Sequence, residues 1–513
     1  MNSLTTLAHN RTAGLLSGQQ WLAIVGSSLF VVFLTFPVYS EISPWIGLGI
    51  FTGVATIIHY ALVSEYILPI PHVAILFAVL GYVIGPWINV HFPPPPSESA
   101  PPHWAGRLYG VPNDYFSYAG PVVFAVAIGW LSTISFMPRL CAQYSRKLRY
   151  GDTRLFSALD YLLFGGMACT LCLSYGQELI PGSLTFLFIL FSNLRFLGAM
   201  GWMLSGHRGW IWRTCLVLGV EILASTSSAF FLDLILWGTS FAAILFYRYR
   251  VPKWALVIGV LMAALLIPGL QHAKWKLRDI QPNESVEVFG ENIPATRGNR
   301  PLIWIGALYE GVVPGLTLSY SDEFIGENIL RYNQGWIIDR VMRHMPSQRE
   351  HAGGETVWKA AIAAIFPRFM LPDKANAGGR ENFTTYTGLQ LNARTSMNLG
   401  YAGEMYANFG FYGGIFGCFA YAAAFGLLFR WMSLKSHAQL IILAFIPYVL
   451  HWSALMEVGL LETFGYTFKA AMVMLAVQYA FPPLRFKSPK RLKEMKPRSR
   501  HSETAGRKIL AKS

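Results

Sequence analysis

Charge is scarce in this chain. Asp, Glu, Lys and Arg make up 13% of its 513 residues, against about 25% in an ordinary soluble domain, which excludes a soluble globule. Acid is scarcer than base, 27 Asp and Glu against 41 Lys and Arg, so the net charge is +14. Cysteine is scarce too. All five (Cys141, Cys169, Cys172, Cys215 and Cys418) lie in apolar runs or at their ends, which excludes a disulfide framework. Cys169-Thr-Leu-Cys172 has redox-motif spacing, but inside an apolar run it reads as packing. No internal repeat of short period is present. The first apolar run, 21–39, is long enough to span and no clean small-residue cleavage site follows it, so no cleavable leader is expected.

What the chain has in excess is apolar residues, 53% of the total, with mean hydropathy +0.39. Runs near 20 residues, enough for a helix to cross about 30 Å of hydrocarbon, recur at 21–39, 44–63, 71–88, 119–136, 159–175, 183–204, 214–230, 232–247 and 255–270. Three more follow at 409–429, 440–455 and 465–481. The expected fold class is all-α: a polytopic membrane bundle of about twelve transmembrane helices with one large external loop containing short helices. It divides into about nine spans over 1–270, the loop over 271–405, three spans over 406–481 and a basic cytoplasmic tail over 482–513.

The positive charge is not a nucleic-acid footprint, because it gathers in short segments. These are Arg139, Arg146, Lys147, Arg149 and Arg154; Arg208 and Arg213; Arg248, Arg250 and Lys253; Arg430 and Lys435; and the tail. All fall on one side if the spans alternate, and the positive-inside rule makes that side cytoplasmic. The turns at 40–43 and 176–180 carry no Lys or Arg. Both termini are then cytoplasmic and the long insertion is external. The basic tail is expected to meet anionic membrane lipid, and no nucleic-acid partner is expected.

So much polar chain is not needed to connect two spans, so something outside the membrane is expected to be bound or worked on there. Within the insertion, apolar stretches at 302–308, 336–342 and 357–366 suit short helices against the membrane surface, the last stopped by Pro367. A second external loop, 91–118, holds Pro93-Pro-Pro-Pro96, a stiff polyproline II wall.

Two segments could carry chemistry. Phe366-Pro-Arg-Phe-Met-Leu-Pro-Asp-Lys374 fixes the backbone with two prolines around one arginine. Arg368, with its planar fork, and Lys374, a point charge, suit a phosphate or diphosphate; a surface loop with solvated charges fits the same residues. The second segment, Gly403-Glu404-x-Tyr406-x-Asn408-Phe409-Gly410, leads into a Gly-rich span that can approach its neighbours closely. Glu404 stands at the span's outer edge, where a carboxylate either works or caps.

Together these segments resemble the bacterial oligosaccharide repeat-unit polymerases, the Wzy type that assembles O-antigen and exopolysaccharide. The resemblance covers about 45 residues plus the layout of many spans and one large external loop. It implies a glycosyltransferase of the bacterial inner membrane. A glycan on polyprenyl pyrophosphate would be transferred to a second lipid-linked repeat unit, without metal or cofactor. Positioned cations would stabilise the departing pyrophosphate and a general base would take the acceptor proton. Arg368, Lys374 and Arg380 are the first candidates for the diphosphate, Arg343 and Arg394 the next. Asp373 or Glu404 would be the base, with His344 or His351 as fallback. A chain-length regulator and a flippase are the protein partners implied. The family's Arg-x10-Gly spacing occurs at Arg343…Gly354 and Arg368…Gly379, both in one loop where the family spreads them over two.

Arg195, Glu221, Asp233, His451, Glu457, Glu462 and Lys469 lie in or beside apolar runs and are expected to face the bundle interior or a wet cavity. Glu462 and Lys469, seven apart, share a face of any helix running through both, a spacing that suits a pair. A lipid-linked oligosaccharide flippase would fit the span count without needing the long loop. An O-antigen ligase would use the same donor with another acceptor.

Overall fold

The computed structural model describes residues 16–485 apart from 65–66, 93–112, 136–152, 177–179, 229–231, 250–253, ten positions between 255 and 268, 275, 278–279, 281–283, 297–298, 318, 320, 322–331, 367–369, 372–377, 392–395 and 437–440. The chain enters its first helix, α1 (Gly18–Tyr39), through a capping box. The Ser17 hydroxyl accepts the Gln20 amide while the Gln20 side chain accepts that of Ser17. There follow α2 (Trp45–Val63), α3 (Ile70–His91), α4 (Asn113–Ser135), α5 (Thr153–Tyr175), α6 (Gly182–Ser192) and α7 (Leu194–Ser205). The last two continue one another across a turn at Asn193. Then come α8 (Trp210–Ser228) and α9 (Leu232–Tyr249).

Among its described residues the insertion holds a two-stranded antiparallel hairpin, β1 (Ser285–Val288) and β2 (Glu291–Pro294), and, after the helical residues at 269–274, four helices. These are α10 (Arg300–Thr317), α11 (Gly335–His344), α12 (Glu355–Ile365) and α13 (Arg380–Thr387). The chain ends its described part with α14 (Gly400–Ser436), α15 (Ile442–Leu450) and α16 (Leu460–Ala480).

Among the described residues the fold is all-α but for the hairpin. Among the described residues, eight stretches are long and apolar enough to cross a membrane: α1, α2, α3, α4, α5, α6 with α7, α14 and α16. The expected runs at 214–230 and 232–247 are helical in α8 and α9, which carry Arg213 and Glu221, and Asp233 and Arg248. The run at 440–455 is α15, nine residues or about 14 Å, followed by the 3₁₀ turn Trp452–Ala454. Much of 255–270 lies outside the described residues.

All three apolar stretches expected to be helical in the insertion are helical, but they are not equivalent. Trp336, Ile338, Val341, Ala360, Phe383 and Tyr386 belong to the same continuous core as Tyr82, Tyr115 and Tyr401 of the bundle. α11, α12 and α13 are thus a plug seated on one end of the bundle. Val286, Val288 and Ile303 form a separate small core with Leu277. The hairpin is not legible in the sequence. Its alternation of exposed and buried positions spans only four residues, and its turn is Phe289-Gly290, with both φ positive.

Local irregularities make the seat. A π-helical turn at Leu80–Ile84 leaves carbonyls of α3 without helical partners. The Gly81 carbonyl instead accepts the Gln334 amide at 3.0 Å, and that of Tyr82 accepts the Tyr115 hydroxyl at 2.7 Å. Asn333 bridges the same place, its Nδ2 donating to Asn89 Oδ1 at 3.0 Å and its Oδ1 accepting the Trp336 amide. α14 runs along α4, with Gly426 against Thr133 and the Tyr118 hydroxyl bonded to the Ala402 carbonyl at 3.0 Å.

Charges inside the bundle are paired. Arg195 bonds Glu221, the Thr170 hydroxyl and the Ser192 carbonyl, both charged residues being almost wholly buried. His451 Nε2 lies 3.3 Å from Asp233 Oδ1 and stacks on Trp237. Lys469 lies over the Phe186 ring, 4.2 Å from its centroid, while Glu462 takes a different partner at the plug.

Candidate functional site

The Gly-Glu-x-Tyr-x-Asn-Phe-Gly segment forms the plug-side part of α14, which ends at a sharp break. Gly410 has φ 70° and ψ −161°, a conformation open essentially to glycine alone. The break frees the carbonyls of Ala407 and Asn408, which accept the amides of Ala352 and Gly353 at 2.9 Å each. Asn408 ties the same joint. Its Nδ2 donates to Thr356 Oγ1 and to the Glu404 carbonyl, both at 2.7 Å, and its Oδ1 accepts the Thr356 amide at 3.3 Å. Tyr406 packs edge-on against Tyr118 and faces His351.

Glu404 is 2% exposed. Its Oε2 accepts the Leu460 amide at 2.9 Å, in the first turn of α16, where amides lack helical partners and anions are favoured. Its Oε1 is buried without a hydrogen-bond partner, with Thr356 adjoining the carboxylate. The first turn of α16 and the loop before α13 close the space around it. Glu462 Oε1 accepts the Gly378 amide at 2.7 Å. A Cβ at Gly459 would sit 2.7 Å from Glu462 Oε2, so a larger residue there would push that carboxylate aside. The space that remains is a small cavity, of about 20 Å³, walled by Glu381, Glu404 and Glu462 with Asn382 and Asn398.

A second cavity, of about 100 Å³, shares Glu381, Asn382 and Leu461 with the first. It adds Arg349, Glu355, Lys359 and Tyr386. Lys359 bonds Glu355 along α12, which holds the Glu355 carboxyl below its ordinary value and the Lys359 ammonium above its own. Burial raises the Tyr386 hydroxyl. Among the described residues no group of three or more His, Cys, Asp or Glu is placed to hold a metal ion.

The expected site residues fall in three groups. Glu404 is at the centre. Arg380 opens α13 beside Glu381, its Nη2 bonded to the Leu391 carbonyl at 3.0 Å. Arg343, half-exposed on α11, pairs through Nε with Asp339 at 2.8 Å. Arg368, Asp373, Lys374 and Arg394 lie outside the described residues. Of the fallback histidines, His351 stands beside the Gly410 break and His344 beside Gly388.

Four residues of these cavities do not stand out in the sequence: Glu381, Arg349, Lys359 and Tyr386. Glu462 stands out there only as a charge near a span. Its position, three residues past Gly459 at a helix start, is the available signal. Asp339 escapes notice as well. It is 6% exposed, and burial pushes its carboxyl up to about 6 against the opposing pull of Arg343.

Fold and composition define an all-α membrane protein. Comparison of the chain with family models, with curated proteins and with solved structures gives no match.

Proposed function

We propose that this chain is a membrane glycosyltransferase that polymerises polyprenyl-pyrophosphate-linked oligosaccharide repeat units at the outer face of a bacterial inner membrane. The observation that carries the reading is the buried Glu404, with one carboxylate oxygen unpartnered. It sits in a polar cavity at the bundle's edge, beneath a plug contributed by the insertion. Charge placement supports the orientation. Arg154 opens α5, Arg248 closes α9, Lys435 closes α14 and Arg485 follows α16, all away from the plug, which under the positive-inside rule supports an external plug.

In this reading an acceptor hydroxyl attacks the anomeric carbon of the donor. The new C–O bond forms as the anomeric C–O bond to diphosphate breaks, and the leaving diphosphate keeps the electron pair. The hydroxyl proton passes to a carboxylate, Glu404 or Asp373. Arg368, Lys374 and Arg380, with Arg343 and Arg394, stabilise the diphosphate without a metal.

Purified protein in liposomes with lipid-linked repeat units tests this. Elongation without any other protein supports the polymerase. Transbilayer movement without elongation makes the chain a flippase, and transfer only to a different acceptor makes it a ligase. Arg368→Ala should leave single repeat units with the protein still inserted; a normal chain-length ladder sinks the cationic role.

A further inference from the structure

The second cavity, between α12 and α13, is a small recess open to solvent, with about 100 Å³ of room against the about 300–1,000 Å³ usual for a small-ligand site. Such sites are mostly apolar, whereas this one is walled by Arg349, Glu355, Lys359, Glu381, Asn382 and Thr385. Two cations and two carboxylates leave it without net charge. Glu355 and Lys359 satisfy each other. The other four polar side chains make no hydrogen bond or ion pair among the described residues. The Arg349 guanidinium lies 5.4 Å from the Tyr386 ring centroid, and that aromatic backing limits where its fork can turn.

We propose that this cavity binds a neutral, hydroxyl-rich pyranose ring, the terminal sugar of the acceptor glycan. Its role as acceptor site rests on the glycosyltransferase reading; its capacity to bind sugar does not. Each sugar hydroxyl both donates and accepts. The wall offers a guanidinium that only donates, a carboxylate that only accepts, and an amide and a hydroxyl that do both. A diphosphate would want donors alone, and Glu355 and Glu381 repel it. The shared wall of Glu381, Asn382 and Leu461 then gives the site its meaning. A ring seated against that wall directs a hydroxyl toward the carboxylates of Glu404 and Glu462.

The test is binding of free saccharides to the full-length protein in nanodiscs, read by saturation-transfer NMR and calorimetry. The probes are neutral tetrasaccharides built from hexoses and N-acetylhexosamines, a uronate-bearing set, and inorganic pyrophosphate. A neutral saccharide should bind, and Arg349→Ala and Glu381→Gln should each weaken it tenfold or more. Both residues are exposed, so the fold is kept; Lys276→Ala, on a distant surface pair with Glu310, should change nothing. Equal binding by both variants, displacement by pyrophosphate, or binding by no saccharide of the panel overturns the site. Saccharide binding by the parent that is lost in Arg349→Ala, with no elongation of lipid-linked units by the parent itself, leaves the site standing and fells the transferase. Elongation by Arg349→Ala with unchanged acceptor KM does the reverse.

Discussion

Glu404 and Leu460 lie 56 residues apart, and a carboxylate-to-amide bond of 2.9 Å joins them. The bond fastens the plug-side part of α14 to the start of α16, just after the extended link that follows α15. Oε2 satisfies an amide that a helix start leaves unpaired, while Oε1, with Thr356 adjoining, is the oxygen that the proposed transferase would use.

Glu404→Gln and Glu404→Ala should separate those two roles. Gln keeps a carbonyl oxygen for the Leu460 amide, so its unfolding temperature in detergent should stay near that of the parent. Polymer formation should nevertheless be lost, because an amide takes no proton. Ala leaves the amide unsatisfied, at a cost of about 1–3 kcal/mol, and should melt earlier. A Gln variant with a full polymer ladder would leave Glu404 a purely structural residue.

Gly410→Ala should destabilise the joint by about 1–3 kcal/mol, since φ 70° with ψ −161° is closed to other residues. A Cβ there would also sit 3.1 Å from the His351 ring. The expected signature is faster proteolysis around 350–356, the segment whose amides cap the break. Unchanged proteolysis and melting would mean that α14 is not broken at this residue.

Much of this architecture is open to reading before any coordinates, because a bilayer imposes one demand, about 20 apolar residues per crossing. Hence α1 to α5, α6 with α7, and α14 and α16 coincide with apolar runs, and α10 to α12 with apolar stretches of the insertion. Breaks are not open to reading. The run at 409–429 gives no sign that α14 begins at Gly400 and bends at Gly410, since a backbone angle leaves hydropathy unchanged. Glu462 likewise resembles an intramembrane charge, because the apolar residues of 455–460 hide the link before α16. The Gly-Glu-x-Tyr-x-Asn-Phe-Gly segment reads as chemistry, yet Tyr406, Asn408 and Gly410 build the joint and Glu404 alone faces the cavity. Cavity residues from separate elements, Arg349 of the link between α11 and α12 and Glu381 of α13 among them, form no sequence pattern at all.

Asp339→Asn should flatten part of the pH dependence of stability. The folded state raises the Asp339 carboxyl from 3.8 to about 6, so between those values it holds a proton that the unfolded chain releases. Stability from this group is therefore greatest below about pH 4, falls as pH rises toward 6, and is level above. The penalty at neutral pH is on the order of 2–3 kcal/mol. The uncharged amide of the variant carries none of it, so the variant should equal the parent at pH 4 and melt higher at pH 7. A melting difference that does not change between pH 4 and 7 would contradict the buried setting of Asp339.

Arg195 and Glu221 offer the sharpest test of the bundle interior. Both are nearly fully buried, 3% and 6% exposed, and their pairing joins α7 to α8 while Thr170 of α5 takes a further guanidinium bond. Removing one partner leaves the other charge buried and alone, so Arg195→Met or Glu221→Leu should each destabilise by about 3–5 kcal/mol. Removing both takes away the charges together, and apolar side chains of similar volume then fill a region that water does not reach. The double variant should be closer to the parent than either single one, with a coupling energy of at least about 2 kcal/mol in the cycle. Strict additivity would show that the two charges do not meet. A double variant as stable as the parent but unable to elongate glycan would assign the pair to function, since a merely structural pair would lose nothing further.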